Sequence, residues 1–235
     1  MITATDLTKL YDSKLALDHV SLTVHPGEIY CLLGPIGSGK STTINLFFGF
    51  IKPTRGSAAI CGFDSVTQPL ELKKHAALVS KRFALYDTLT ALEHIAFVAA
   101  LLGRKDLDRL GHVELLRSVM LPERSYERRV EEFSPGMKLK LAIAIALLKN
   151  APALLLDEPS GDLDPESAAD LVRLLKEMRD RGKTILMTTH DVFRAHQIAD
   201  TVGILRDGVL ILQLSRSEFV HEDLEILYLK QVASG

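Results

Sequence analysis

The chain has 235 residues, 47% of them hydrophobic and 25% charged, with a formal net charge of -2 at pH 7. Length and apolar content allow one α/β domain with a sizeable core, and the balanced charge excludes a global attraction to nucleic acid or to an anionic bilayer. Two cysteines, Cys31 and Cys61, are too few for a disulfide framework or a four-cysteine zinc site and fit a reducing compartment.

Alternation from Ile2 to Leu10 and from His19 to Val24 predicts strands, and Pro26-Gly27 marks a turn before the apolar run Ile29 to Leu33. A glycine-rich loop follows. From Thr42, the residues Ile44, Leu46, Phe47 and Phe48 predict a helix that Gly49 can close. Between Leu89 and Asn150 the pattern changes: Leu92, Ile95, Ala96, Ala99 and Leu102, then Val113, Leu116 and Met120, recur at helical spacing and predict a helical lobe. Strand and helix then alternate through Leu154 to Leu156, Leu171 to Met178, Thr184 to Thr188, Ala195 to Ile198 and Val202 to Leu205. That order predicts a mainly parallel sheet covered on both faces. Asp207-Gly208, between two apolar runs, predicts a hairpin.

No stretch approaches the roughly 18 apolar residues of a membrane span; the best, Leu141 to Leu148, lies between Lys140 and Lys149. The residues Met1 to Asp6 do not read as a signal peptide, so none is expected here. Any membrane work is therefore expected to need a partner subunit.

Gly34-Pro35-Ile36-Gly37-Ser38-Gly39-Lys40-Ser41, continued by Thr42, fits the P-loop pattern between a predicted strand and a predicted helix. Glycines let backbone N–H groups close around phosphate oxygens, and the helix N-terminus adds positive potential. Lys40 is expected to reach the outer phosphates and Ser41 to offer its hydroxyl to magnesium. Asp157 ends an apolar strand beside this loop, where it can hold the magnesium shell, and Glu158 can polarise the attacking water. His190 closes another apolar strand at the same sheet edge. A histidine so placed is either catalytic or a packed or capping residue, and the residues alone leave both open.

Over nearly its whole length the chain resembles the ATP-binding subunits of ABC transporters. The resemblance implies an α/β P-loop NTPase core with a mainly parallel sheet, an N-terminal antiparallel β subdomain and an inserted helical lobe. It implies one domain over 1–235, with 1–88 and 151–235 as core and 89–150 as lobe. Tyr11 is similar to the aromatic that stacks on adenine, Asp157 and Glu158 to the magnesium-linked aspartate and the catalytic glutamate, and His190 to the histidine at the γ-phosphate. Ser160-Gly161-Asp162-Leu163-Asp164 resembles the loop that crosses the dimer interface, with Asp164 as its closing acid. Leu85 to Thr90 and Leu224 to Leu229 look most like bacterial export systems with a separate membrane subunit.

Implied with the resemblance are ATP and Mg2+, a second ATPase chain that is a copy or a paralogue, transmembrane permease subunits and no nucleic acid. The implied place is the cytoplasm, peripheral to the inner face of the cell membrane through those partners. Two positions depart from the family pattern. The signature appears as Phe133-Ser134-Pro135-Gly136-Met137, with proline for one glycine, and Lys81 stands where a glutamine helps coordinate magnesium. Lys81 either lies against phosphate or points to solvent. A soluble ABC ATPase in cofactor assembly or ribosome-associated work is the alternative. A P-loop kinase would leave Ser134-Pro135-Gly136 and His190 without jobs.

Overall fold

The computed structural model of the chain describes residues 1–80, 85–161, 163–220 and 224–233. The chain opens with the hairpin β1 (Ile2–Tyr11) and β2 (Lys14–Val24), then runs through β3 (Ile29–Leu33) into α1 (Lys40–Phe47). β4 (Arg55–Ile60) and β5 (Phe63–Asp64) return to the hairpin, which makes an antiparallel sheet ordered β2-β1-β4-β5. α2 (Pro69–His75) and β6 (Ala76–Val79) lead to α3 (Ala91–Leu101), α4 (Arg109–Ser118) and α5 (Pro135–Leu148). The second sheet is completed by β7 (Ala153–Asp157), β8 (Thr184–Thr189), β9 (Thr201–Arg206) and β10 (Val209–Ser215). Between its strands run α6 (Pro165–Asp180) and α7 (Val192–Ile198), and α8 (Arg216–Phe219) and α9 (Leu224–Ala233) follow.

The second sheet is ordered β10-β9-β3-β8-β7-β6, with every neighbouring pair parallel except β9 and the edge strand β10. A parallel sheet must bury both faces, which is why its strands read as unbroken apolar runs. β3 divides its residues accordingly. Ile29, Cys31 and Leu33 enter a core shared with α6, α7 and the helices α3 to α5, while Tyr30 and Leu32 enter a second core with α1 and the antiparallel sheet. Each large apolar side chain buried in this way contributes about 1.5–3 kcal/mol relative to exposure. Burial also drives the Cys31 thiol far above its ordinary pKa, so Cys31 serves as apolar filling.

The expected strand Ile29 to Leu33 is observed residue for residue. β2 begins earlier than expected, at Lys14, and β1 and β2 pair through several register shifts that blur the alternation. α1 begins at Lys40 rather than Thr42, because Gly39 turns the loop straight into the helix at φ 109°. A Cβ at Gly39 would lie 2.6 Å from the Ala16 carbonyl oxygen, so both conformation and space require glycine there. Gly49, at φ 65°, ends α1 as expected.

Candidate functional site

Because β3, β8 and β7 are adjacent and parallel, the residues that end them meet at one sheet edge: Leu33 pairs with Thr189, and Asp157 with Thr188. From that edge the Gly34–Ser41 loop leaves β3, Asp157-Glu158 leaves β7 and His190 leaves β8. Ser41 Oγ donates to Asp157 Oδ1 at 3.2 Å, and Thr188 Oγ1 donates to the same oxygen at 2.6 Å. Thr188 Oγ1 also accepts from the Glu158 N–H at 3.1 Å. One hydroxyl thus positions both acids. Thr188 had no role in the sequence reading, although a buried threonine at the end of an apolar strand was the available signal.

Glu158 adopts φ 50°, in the left-handed region that a side-chain-bearing residue rarely occupies. The turn separates the two acids, sending Asp157 to Ser41 and Glu158 to Lys40. Lys40 Nζ lies 3.1 Å from Glu158 Oε1, with both side chains nearly buried, and donates to the Gly34 and Pro35 carbonyls at 2.7 and 3.0 Å. The other Glu158 oxygen, Oε2, lies 2.8 Å from His190 Nδ1. His190 is therefore in contact with Glu158 and half exposed, and the α7 N-cap role belongs to its neighbour Asp191.

A cleft of about 490 Å³ opens beside these groups, lined by Tyr11, Lys14, Leu15, Ala16, Ile36, Gly37, Gly39, Lys40, Ser41, Thr42, Glu158, Asp207 and Gly208. Tyr11 ends β1 at its far side, with Lys9 Nζ 4.9 Å from the ring centroid. The Asp207-Gly208 turn, anticipated as a hairpin, is also part of this wall. The Gly208 N–H donates to the Ser38 carbonyl, and the Asp18 N–H donates to the Gly208 carbonyl, which fastens the loop to β2. Inside the loop Ser38 Oγ is buried with no hydrogen-bond partner among the described residues, and the Ser38 N–H closes a turn on Pro35.

The other predicted site residues lie on α5 and α6. Ser134 caps α5, its Oγ accepting from the Met137 N–H at 3.2 Å, and Pro135 takes the first helical position. An N–H there has no helical partner in any case, so proline starts this helix rather than breaking it. Asp164 caps α6 and accepts from the Ser167 N–H. That bond, and next the Ser167 hydroxyl, hold its carboxyl below the usual aspartate range. Lys81 and Asp162 lie outside the described residues. Among the described residues no group of three or more His, Cys, Asp and Glu side chains forms a metal cluster, and no helix is long and apolar enough to cross a membrane.

A glycine-rich loop closing on a helix N-terminus, with acids on the neighbouring strands, makes this a P-loop nucleotide-binding protein of α/β fold. Residues 17–161 match the family model described as ABC transporter. The chain is 33% identical over 215 residues to the bacitracin transport ATP-binding protein BcrA of Bacillus licheniformis, covering 91% of this chain and 69% of that one. It is 31% identical over 245 residues to the ABC transporter ATP-binding protein NatA of Bacillus subtilis (strain 168), covering 100% and 99%. The dimeric post-hydrolysis structure of the ATP-binding cassette MJ0796 with ADP and Pi superposes with a TM-score of 0.80 at 29% identity, over 92% of this chain and 99% of that one. The chain belongs to the ABC transporter family, as an ATP-binding and ATP-hydrolysing cassette.

Proposed function

We propose that this chain is the motor subunit of an exporter: two cassettes close around ATP, hydrolysis reopens them, and separate membrane subunits convert the motion into transport. The observation that carries the reading is the convergence of Lys40, Ser41, Asp157, Glu158 and His190 at one sheet edge beside a nucleotide-sized cleft. The core of 1–88 and 151–235 and the lobe of 89–150 are part of this reading, and so is a place on the inner membrane face.

In this reading Tyr11 stacks on adenine, and the backbone of Gly34 to Thr42 surrounds the phosphates. The unpartnered Ser38 Oγ and the left-handed Gly37 and Gly39 fit a loop built for an oxyanion. Lys40 exchanges its contacts with the Gly34 and Pro35 carbonyls for the β- and γ-phosphates. Ser41 Oγ and Asp157 Oδ1, a pair of hard oxygen donors, suit Mg2+, which when bound neutralises phosphate charge. Glu158 takes a proton from the attacking water, and His190 holds its carboxylate in place and contacts the γ-phosphate. Ser134, Gly136, Met137 and Asp164 serve the nucleotide of the facing chain.

Support for a membrane-subunit contact comes from α3, where Phe97 and Leu101 stand exposed one turn apart and the Tyr86 ring packs edge-on to Phe97 at 5.7 Å. An apolar strip of this kind on a surface marks an interaction site. Tyr86 of this strip lies within residues 82–86, the part of the lobe proposed to meet the membrane subunit, of which 82–84 lie outside the described residues.

Two measurements test the proposal. Glu158→Gln is expected to retain ATP binding, lose about 10²- to 10⁴-fold in turnover and accumulate as an ATP-bound dimer; His190→Ala slows turnover less. Wild-type turnover in Glu158→Gln moves the base elsewhere. Co-expression with its membrane partners brings the chain to the membrane fraction, and failure to co-purify with any membrane subunit in detergent returns the soluble-ATPase alternative.

A further inference from the structure

The N-termini of α5 and α6 meet at a contact that uses none of the P-loop residues. A Cβ on Gly136 would lie 2.0 Å from Ser167 Oγ and 2.5 Å from Ser167 Cβ, an approach that only glycine allows. Ser167 is not free to step aside. Its hydroxyl donates to Asp164 Oδ2 at 2.7 Å while its N–H donates to Asp164 Oδ1 at 2.9 Å, so the cap of α6 fixes the side chain that Gly136 rests on. One turn further on, Lys140 Nζ donates to Asp170 Oδ2 at 2.6 Å and to the Met120 carbonyl at 3.1 Å. Gly136 and Lys140 share a face of α5, and Ser167 and Asp170 share a face of α6. Two contacts on matching faces set both the separation of the helices and their rotation.

We propose that Ser167 is a positioning residue for the Ser134–Met137 segment: held by Asp164, it seats Gly136 and joins the turn at Asp164 and the N-terminus of α5 into one rigid edge. This inference rests on the reading that the edge faces the nucleotide of a second chain. Ser134 Oγ and the Gly136 N–H then reach that nucleotide only while Ser167 keeps α5 in register. The P-loop of the same chain is built elsewhere, so binding of its own ATP does not depend on Ser167.

The test uses the Glu158→Gln chain as parent, with ATP-dependent dimerisation followed by sedimentation velocity and ATP affinity measured at concentrations where the protein is monomeric. Ser167→Ala is expected to leave monomer ATP affinity within about twofold and to weaken dimerisation about tenfold, since one hydrogen bond is lost in each of two symmetric contacts. Gly136→Ala weakens dimerisation further, and Gly136→Ala combined with Ser167→Gly recovers part of the loss by restoring the space. Dimerisation of Ser167→Ala equal to the parent, or no recovery in the combined variant, overturns the proposal. A parent that stays monomeric with ATP, both alone and when co-expressed with a paralogous ATPase chain, refutes the two-chain reading itself, and the role of Ser167 falls with it.

Discussion

The P-loop edge and the N-terminus of α5 are both phosphate-binding surfaces in this reading, yet they differ in how much of a site each one holds. At the P-loop, three parallel strands bring a cation, a hydroxyl, two carboxylates and an imidazole to one sheet edge, tied together through Lys40, Thr188 and Glu158. At α5 the first helical residue is proline, and the Met137 N–H is committed to Ser134 Oγ. Gly136 alone of the first three helical residues keeps an uncommitted N–H among the described residues. One edge can hold a nucleotide alone; the other offers a hydroxyl and a single amide to something held elsewhere. In this reading, a site divided in this way is expected to hydrolyse ATP only when two chains meet.

The largest effect expected on this contrast comes from Lys40→Ala. It removes charge-assisted bonds to the outer phosphates and is expected to weaken ATP binding about 10- to 100-fold by calorimetry. It also leaves Glu158 nearly buried without its cation, so the melting temperature of the nucleotide-free protein falls too. Unchanged ATP affinity would remove Lys40 from the site and with it the distinction between the two edges.

Pro135→Gly acts on the other edge. Adding one N–H to the first turn of α5 is expected to strengthen ATP-dependent dimerisation about two- to threefold and to raise basal ATP hydrolysis in step. Releasing the fixed φ costs about 0.4–1 kcal/mol of stability. Hydrolysis that stays level or falls in this variant makes Pro135 an adapted part of the machine rather than a weakened one.

The smallest effect concerns the lobe, where His94 of α3 is buried and its Nε2 accepts the Tyr86 N–H at 2.7 Å, while Nδ1 has no hydrogen-bond partner among the described residues. Burial holds its pKa below the ordinary histidine value. In the window between the folded and the unfolded pKa, the unfolded chain binds the extra proton. The stability that His94 contributes is therefore present above about pH 6.5 and is lost as the pH falls from there toward the folded value. Melting curves between pH 7.5 and 5 should show that loss, and His94→Gln should flatten it. An unchanged slope in the variant assigns the titration to another group.

What could be read from the sequence follows the distance over which its causes act. The P-loop, the acid pair and the Asp207-Gly208 turn depend on neighbours in the chain, and so does β3, whose five apolar residues announce a strand buried on both faces. β4 and β6 escaped notice because Arg55–Ile60 has little alternation and Ala76–Val79 is short; pairing with β1 and β7 makes them strands. At the candidate site, the identities of Glu158 and His190 were legible but their contact was not, because it needs β7 and β8 in register and a left-handed turn at Glu158. The seat of Gly136 on Ser167 joins residues more than 30 apart, and nothing in the local pattern of either helix reports it.

β3 has a further consequence, for how the molecule is made. Its two neighbours in the sheet are β8 and β9, which begin at Thr184 and Thr201, so both of its edges stay open while the whole helical lobe emerges from the ribosome. Long-range strand pairing of this kind is slow to form and leaves apolar edges exposed in the interval. The loop that starts at Gly34 is synthesised early, yet its cleft gains its walls only after Gly208 has been added and the Gly208 N–H can reach the Ser38 carbonyl. A nascent chain halted before that point would carry a complete P-loop sequence and no nucleotide site, and ATP could begin to stabilise it only once Gly208 has been added.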